Sequence, residues 1–311
     1  MSNNPLAKQP MYFGDETPLN IFLNILFERY SNKVPAVNKI TNALVAQDVV
    51  QSQDEIVNDH IAFRTLGVPH LGIQSFEKIF LHHGYQKKDY YYFEGKKLNA
   101  YWYAPPADKY PRIFMSELVV DQLSEQAQRI IHQFTDSIIA DPVDSVNLND
   151  GAQIGEFLHQ SLWALPTKAD YENLLQESEY AAWVIYNRYY LNHYTISVHA
   201  LKEGYNRLEE FDAFVESLGI KLNTAGGKVK ISGDGLLKQS STVAEMQDAL
   251  FADGQTMSIA GSYVEFAERL PLPEFAHLKP DELLTRHRRD GFETNNADKI
   301  FESTYTGQTK A

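Results

Sequence analysis

Hydrophobic and polar residues along this chain follow two rhythms. Between Thr17 and Gln47 the apolar side chains recur at intervals of three and four, as in Leu19, Phe22, Leu23, Leu26 and Phe27. That spacing predicts a helix capped by Thr17 with Pro18 in its first turn, and a second helix from Pro35 to about Gln47. From about residue 55 the period falls to two. In Asn58-Asp59-His60-Ile61-Ala62-Phe63-Arg64-Thr65, alternation puts His60, Ala62 and Arg64 on one face of a strand and Ile61, Phe63 and Thr65 on the other. A helix over 72–83 follows, with Phe76, Ile79 and Phe80 inward and Gly84 as a left-handed cap. Strands at 89–93 and 98–103, joined by the turn Glu94-Gly95-Lys96-Lys97, and at 112–120 complete the order β-α-β-β-β.

The order then repeats. A strand over 190–200 carries His193, and a helix over 206–217 presents Leu208, Phe211, Phe214 and Val215 before Gly219. Short strands at 228–231 and 236–239 flank a Gly-Asp-Gly turn. A short helix with Thr242 and Glu245 spaced as a capping box comes next, then a strand through 262–267 containing Glu265. His60 lies 24 positions before Gly84 and His193 lies 26 before Gly219, and each histidine follows an Asp or Asn at the start of an alternating strand. Internal duplication of this kind is a direct clue to architecture. The reading is α+β: two βαβββ modules at 49–120 and 188–270 forming one cupped sheet. An N-terminal helical arm (1–48, with 1–14 a loose polar lead), a helical insertion (121–187) and a C-terminal extension (271–311) are added to them. Within the insertion, helices are expected over 124–139, 152–165 and 169–186. The extension is expected to hold a short basic helix near 286–289 with a solvated face, then a polar tail.

Composition narrows the function. A chain of 311 residues with 43% apolar and 12% aromatic content is a folded globular protein. A net charge of −13 with no basic run excludes a nucleic-acid footprint. Any anionic substrate must be held by local positive charge, which points to inward-facing arginines. There is no cysteine, so disulfides, thiolate metal sites and cysteine nucleophiles are excluded. No apolar run reaches the ~18 residues of a membrane span, and without a secretory signal at the start the cytoplasm is the expected compartment.

The candidate chemistry lies on the cup face. Two modules side by side would bring His60 and His193 together from equivalent first strands, and Glu265 would add a carboxylate. Two imidazoles and one carboxylate are the ligand set of non-heme Fe(II) sites, which leave positions open for substrate and dioxygen. A glutamate between Val264 and Phe266 is costly to bury unless paired or metal-bound. Glu117, on the last strand of the first module, is either a fourth ligand or a structural residue. His199 shares the parity of His193, while the remaining histidines read as ordinary hydrogen-bonded residues. Arg64 sits roughly 13 Å along the strand from His60 and reads as a carboxylate clamp, the alternative being a salt bridge at the rim.

The segments His60-Ile61-Ala62-Phe63-Arg64-Thr65, Pro111-Arg112-Ile113-Phe114-Met115-Ser116-Glu117-Leu118, Asn192-His193-Tyr194-Thr195 and Tyr263-Val264-Glu265-Phe266-Ala267 resemble the 2-oxoadipate dioxygenase/decarboxylase family. Its members, also called hydroxyglutarate synthases, belong to the vicinal oxygen chelate superfamily. The resemblance implies Fe(II) held by His60, His193 and Glu265, with Arg64 gripping a substrate carboxylate. It implies conversion of 2-oxoadipate and O2 to D-2-hydroxyglutarate and CO2, a step in lysine breakdown, with the substrate serving as its own 2-oxo acid. Two features depart from the family pattern: the chain is shorter than its longer members, and the strand after His193 is less hydrophobic. Two other readings share the fold: a glyoxalase-type lyase or isomerase with Glu117 as fourth ligand, and a protein that sequesters a small acid without turnover.

Overall fold

Two helices lead into the sheet, α1 (Pro18–Lys33) and α2 (Pro35–Ala46), in a computed structural model that describes residues 12–310. Thr17 caps α1 by accepting a hydrogen bond from the Asn20 amide, and a proline opens each helix. The expected loose lead falls, for residues 1–11, outside the described residues. Phe13 is packed against Phe27 and Tyr110.

The first repeat consists of β1 (Asn58–Leu66), α3 (Ile73–His82), β2 (Gln86–Phe93), β3 (Leu98–Ala104) and β4 (Arg112–Leu118). Then come α4 (Glu125–Thr135), α5 (Gly151–Phe157), α6 (Lys168–Glu177) and α7 (Glu179–Asn187). The second repeat consists of β5 (His193–Ser197), α8 (Leu208–Ser217), β6 (Lys230–Ile231), β7 (Leu237–Ser241), the hairpin β8 (Met246–Leu250) and β9 (Thr256–Ala260), and β10 (Tyr263–Arg269). The chain ends in α9 (Thr294–Phe301) and the single turn α10 (Thr306–Thr309).

Eight strands form one curled sheet in the order β2-β3-β4-β1-β5-β10-β7-β6. Each repeat pairs its first and last strands in parallel, β1 with β4 and β5 with β10. The repeats join antiparallel through β1 and β5, with Ala62 opposite His193. Alternation works as expected. Phe63 turns outward onto Phe76 and Phe80 of α3 at centroid distances of 4.8 and 5.7 Å. In the second repeat Phe266 meets Phe211 of α8 at 5.0 Å. Burying one such ring contributes roughly 1.5–3 kcal/mol, so each repeat is fastened to its own helix while the opposite face is free to line the cup. Gly84 and Gly219 end their helices with φ of +85° and +73°, a conformation that favours glycine.

Four expectations are corrected. Thr242 and Glu245 start no helix. The Thr242 hydroxyl accepts from the Val264 amide and serves the sheet, and the insertion is the β8–β9 hairpin. The predicted helix over 152–165 stops at Phe157. The predicted helix over 169–186 is two, broken where Ser178 ends α6 and caps α7 by accepting from the Ala181 amide. Finally, the C-terminal extension is not a solvated basic face followed by a polar tail. Arg289 pairs with Asp234, Arg288 donates to the Arg269 carbonyl, and Phe292, Ile300 and Phe301 are buried in the mouth of the cup.

Candidate metal centre

Pairing register decides which side chains meet. His193 faces Tyr263 across the parallel β5–β10 pair, so Glu265, two residues further along β10, emerges on the same face. His60, two residues before Ala62 on β1, comes in from the other repeat. The Nε2 atoms of His60 and His193 stand 3.3 Å apart. Glu265 Oε2 lies 3.1 Å from His193 Nε2, and Oε1 lies 3.5 Å from His60 Nε2. All three residues are buried and offer atoms within 4.8 Å of one another.

The surroundings test whether a cation fits. The Nδ1 of His60 lies 2.8 Å from Asp59 Oδ1, and the Nδ1 of His193 lies 3.1 Å from Asn192 Oδ1. Oxygen acceptors at both Nδ1 atoms fix the proton there and leave the two Nε2 lone pairs facing inward. Two lone pairs and a carboxylate then converge on one point, an arrangement that suits a positive ion. The Thr195 hydroxyl, 3.1 Å from His60 Nε2, is a further polar neighbour.

Charge within the cluster follows the same geometry. Burial pushes the Glu265 pKa up, but the adjacent His60 and His193 outweigh it and hold it at about 2. Burial lowers His193, an effect that Glu265 only partly offsets. His60 is raised: burial opposes its charge, and Glu265 and Asp59 overcome that.

Several supporting residues were not singled out by the sequence. Asp59 accepts from Arg269 Nε at 2.6 Å and Nη2 at 2.9 Å, which fixes the carboxylate that holds His60. Gln239 on β7 donates to Glu265 Oε1 at 2.6 Å. The available signal was the shared acid-or-amide before each histidine, together with polar residues at cup-facing positions of β7 and β10.

Arg64 lies in the same cavity, also lined by Phe114, Phe292 and Phe301. Its guanidinium donates to Thr304 Oγ1 at 3.0 Å and the Phe301 carbonyl at 3.2 Å, both neutral groups, while Nε has no partner. Rings of Tyr180 and Trp183, both on α7, sit 5.2 and 5.1 Å from it, so the helical insertion walls this end. The Tyr263 hydroxyl, also lining the cavity, is likewise without a partner. A buried cation without an acidic partner, in a cavity shared with three converging donors, can receive an anion.

Glu117 is elsewhere. Phe114, not Glu117, occupies the position on β4 that corresponds to Glu265 on β10, two residues beyond the partner of the first-strand histidine. Glu117 faces the other side of the sheet and accepts from the Ile73 amide at 2.7 Å, at the start of α3. A side chain at Gly72 would meet that carboxylate at 2.2 Å. His199 also misses the cup: its Nδ1 accepts from the Arg269 amide, and burial lowers its pKa to about 4.

A family profile described as 2-oxoadipate dioxygenase/decarboxylase matches residues 22–278. The chain belongs to the 2-oxoadipate dioxygenase/decarboxylase family. Its relatives include the chloroplastic 2-oxoadipate dioxygenase/decarboxylase of Arabidopsis thaliana, 43% identical over 90% of this chain and 75% of the relative. The chloroplastic/amyloplastic enzyme of that name from Oryza sativa subsp. japonica is 47% identical over 82% of this chain and 71% of the relative. The crystal structure of the hydroxyglutarate synthase from Oryza sativa in complex with 2-oxoadipate matches with a TM-score of 0.87 and 39% identity, over 100% of this chain and 99% of that one. The chain spans about three quarters of the length of the two curated plant relatives. Both plant relatives carry plastid names, so the cytoplasmic expectation draws no support from them. Among the described residues no helix is long and apolar enough to cross a membrane.

Proposed function

We propose that this chain is an Fe(II)-dependent dioxygenase/decarboxylase that converts 2-oxoadipate and O2 to D-2-hydroxyglutarate and CO2. One observation carries the reading: a buried arginine without an acidic partner shares a cavity with two inward-facing imidazole lone pairs and a carboxylate, in a chain that matches the 2-oxoadipate complex of the rice protein over nearly the whole length of both.

His60, His193 and Glu265 would hold the iron. Bound there, the ion supplies the redox-active centre and Lewis acidity that oxygen chemistry on a 2-oxo acid requires. Asp59 and Asn192 keep the two imidazoles in the tautomer that presents Nε2. Arg64, with Nε free, receives the carboxylate at the far end of the diacid, and the Tyr263 hydroxyl is placed to add a hydrogen bond. Phe114, Phe292 and Phe301 keep water from the space between. Glu117 lies outside the centre, which removes the fourth ligand on which a lyase reading depended. Purified protein should consume O2 only when both ferrous iron and 2-oxoadipate are supplied, and His193→Ala should abolish the uptake. Uptake that survives this substitution removes His193 from the site; none in the unaltered protein overturns the reading.

A further inference from the structure

Glu265 has two oxygens, and their surroundings differ. Oε2 faces His193 Nε2 at 3.1 Å, whereas Oε1 accepts from the Gln239 side-chain amide at 2.6 Å. Gln239 and Asn296 are both buried, at 2% exposure each. The Asn296 amide nitrogen has three oxygens around it: the main-chain carbonyls of Lys230 at 3.3 Å and Leu237 at 3.4 Å, and Gln239 Oε1 at 3.1 Å. A main-chain carbonyl can only accept, so Asn296 must turn its NH2 toward this group. Gln239 must then turn its oxygen to Asn296 and its NH2 to Glu265. The ambiguity that usually attends amide orientation is removed by the two carbonyls.

We infer that Asn296 and Gln239 are positioning residues that make Glu265 a one-oxygen ligand, so that helix α9 of the C-terminal extension sets the number of open positions at the metal. This rests on the metal centre proposed above. A donor locked onto Oε1 opposes chelation by both oxygens. A six-coordinate ion held by three protein atoms keeps three positions, enough for the two oxygens of a 2-oxo acid and for dioxygen. Chelation by the whole carboxylate would leave two. Orienting partners of this kind typically change metal affinity 10- to 100-fold when removed.

Co(II) is the probe, read by its visible absorption and by titration, with no turnover required. Gln239→Met keeps the length of the side chain and removes the donor. It should weaken Co(II) binding about 10- to 100-fold and change the intensity of the visible bands as the carboxylate closes onto the ion. Asn296→Ala should shift both readouts in the same direction. The double variant should be no worse than Gln239→Met alone, because Asn296 acts through Gln239. Circular dichroism establishes that each variant is folded, and Gln239→Met decides the matter if Asn296→Ala is not. A folded Gln239→Met protein with unaltered affinity and spectrum, or losses in the two variants that multiply independently, overturns the inference and leaves the metal centre standing. Failure of the unaltered protein to bind Co(II) overturns the metal centre itself.

Discussion

Asp59 serves His60 and Arg269 at once: its Oδ1 lies 2.8 Å from His60 Nδ1 and 2.9 Å from Arg269 Nη2. Arg269 stands four residues beyond Glu265 on β10, so the carboxylate that orients one imidazole is tied to the strand that supplies the third donor. Burial opposes the Asp59 charge, but Arg269 and His60 hold its pKa well below the usual carboxylate range. Its ionic stabilisation is therefore present above the unfolded-state pKa and lost as pH falls toward the folded one. Asp59→Asn leaves the Arg269 guanidinium buried without a counter-charge, and should cost about 3–5 kcal/mol at neutral pH. Urea denaturation of the two proteins at pH 7 and pH 3 measures it; a difference that does not shrink on acidification would falsify the assignment.

Asp212 behaves in the opposite sense. Its Oδ1 accepts from the Ser240 hydroxyl at 2.6 Å and its Oδ2 has no partner, and burial raises its pKa to about 6. The native state then holds a proton that the unfolded chain releases near pH 4. Stability falls as pH rises from about 4 to about 6 and stays lower above that. Asp212→Asn should raise the thermal midpoint at pH 7.5, by the equivalent of roughly 2–3 kcal/mol, with the gain fading by pH 4. Equal midpoints at pH 7.5 would count against a buried charge at this position.

Replacing Arg64 should separate substrate binding from metal binding. Lysine retains the charge but loses the planar fork and the Nε donor. In Arg64→Lys the KM for 2-oxoadipate should rise at least tenfold, consistent with about 1.5–3 kcal/mol for a charged hydrogen bond, while Co(II) affinity stays within twofold. An unchanged KM would remove the clamp role.

Glu117 gives the complementary result. Its carboxylate accepts the Ile73 amide at the N-terminus of α3, so Glu117→Ala should cost about 0.5–2 kcal/mol of folding stability. Metal affinity should not move. Parallel denaturation and Co(II) titration check both halves of this statement.

The legible part of the molecule was written in short-range pattern. Period-two alternation put His60 and Arg64 on the face opposite Phe63, and repetition of the pattern identified His193. The polar residue flanked by Val264 and Phe266 singled out Glu265, and all four side chains line one cavity. Glu117 was ambiguous because its alignment with Glu265 depends on strand register. The parallel pairing of β1 with β4 gives that position to Phe114. Residues that act by reaching across the fold were not legible. Arg269 meets Asp59 from 210 positions away, and Asn296 meets Gln239 from 57 positions away. The Thr242–Glu245 spacing misled because a threonine hydroxyl at the end of a strand can accept a neighbouring strand's amide as readily as a helix one. Segment 292–301 looked polar because the side it turns inward, Phe292, Asn296, Ala297, Ile300 and Phe301, is a narrow stripe that itself includes an amide.

The antiparallel seam between β1 and β5 bears on how the polypeptide can be divided. His60 and Asp59 come from the first repeat; His193, Glu265 and Arg269 come from the second. Severing the chain within the helical insertion would give neither fragment a complete set of donors, and would strand Arg269 away from its only acidic contact within 4 Å among the described residues. Backbone architecture is duplicated here, but the candidate donor set is split between the two copies. A slip of one residue along the Ala62–His193 pairing would turn an entire strand over, sending an imidazole to the oily side.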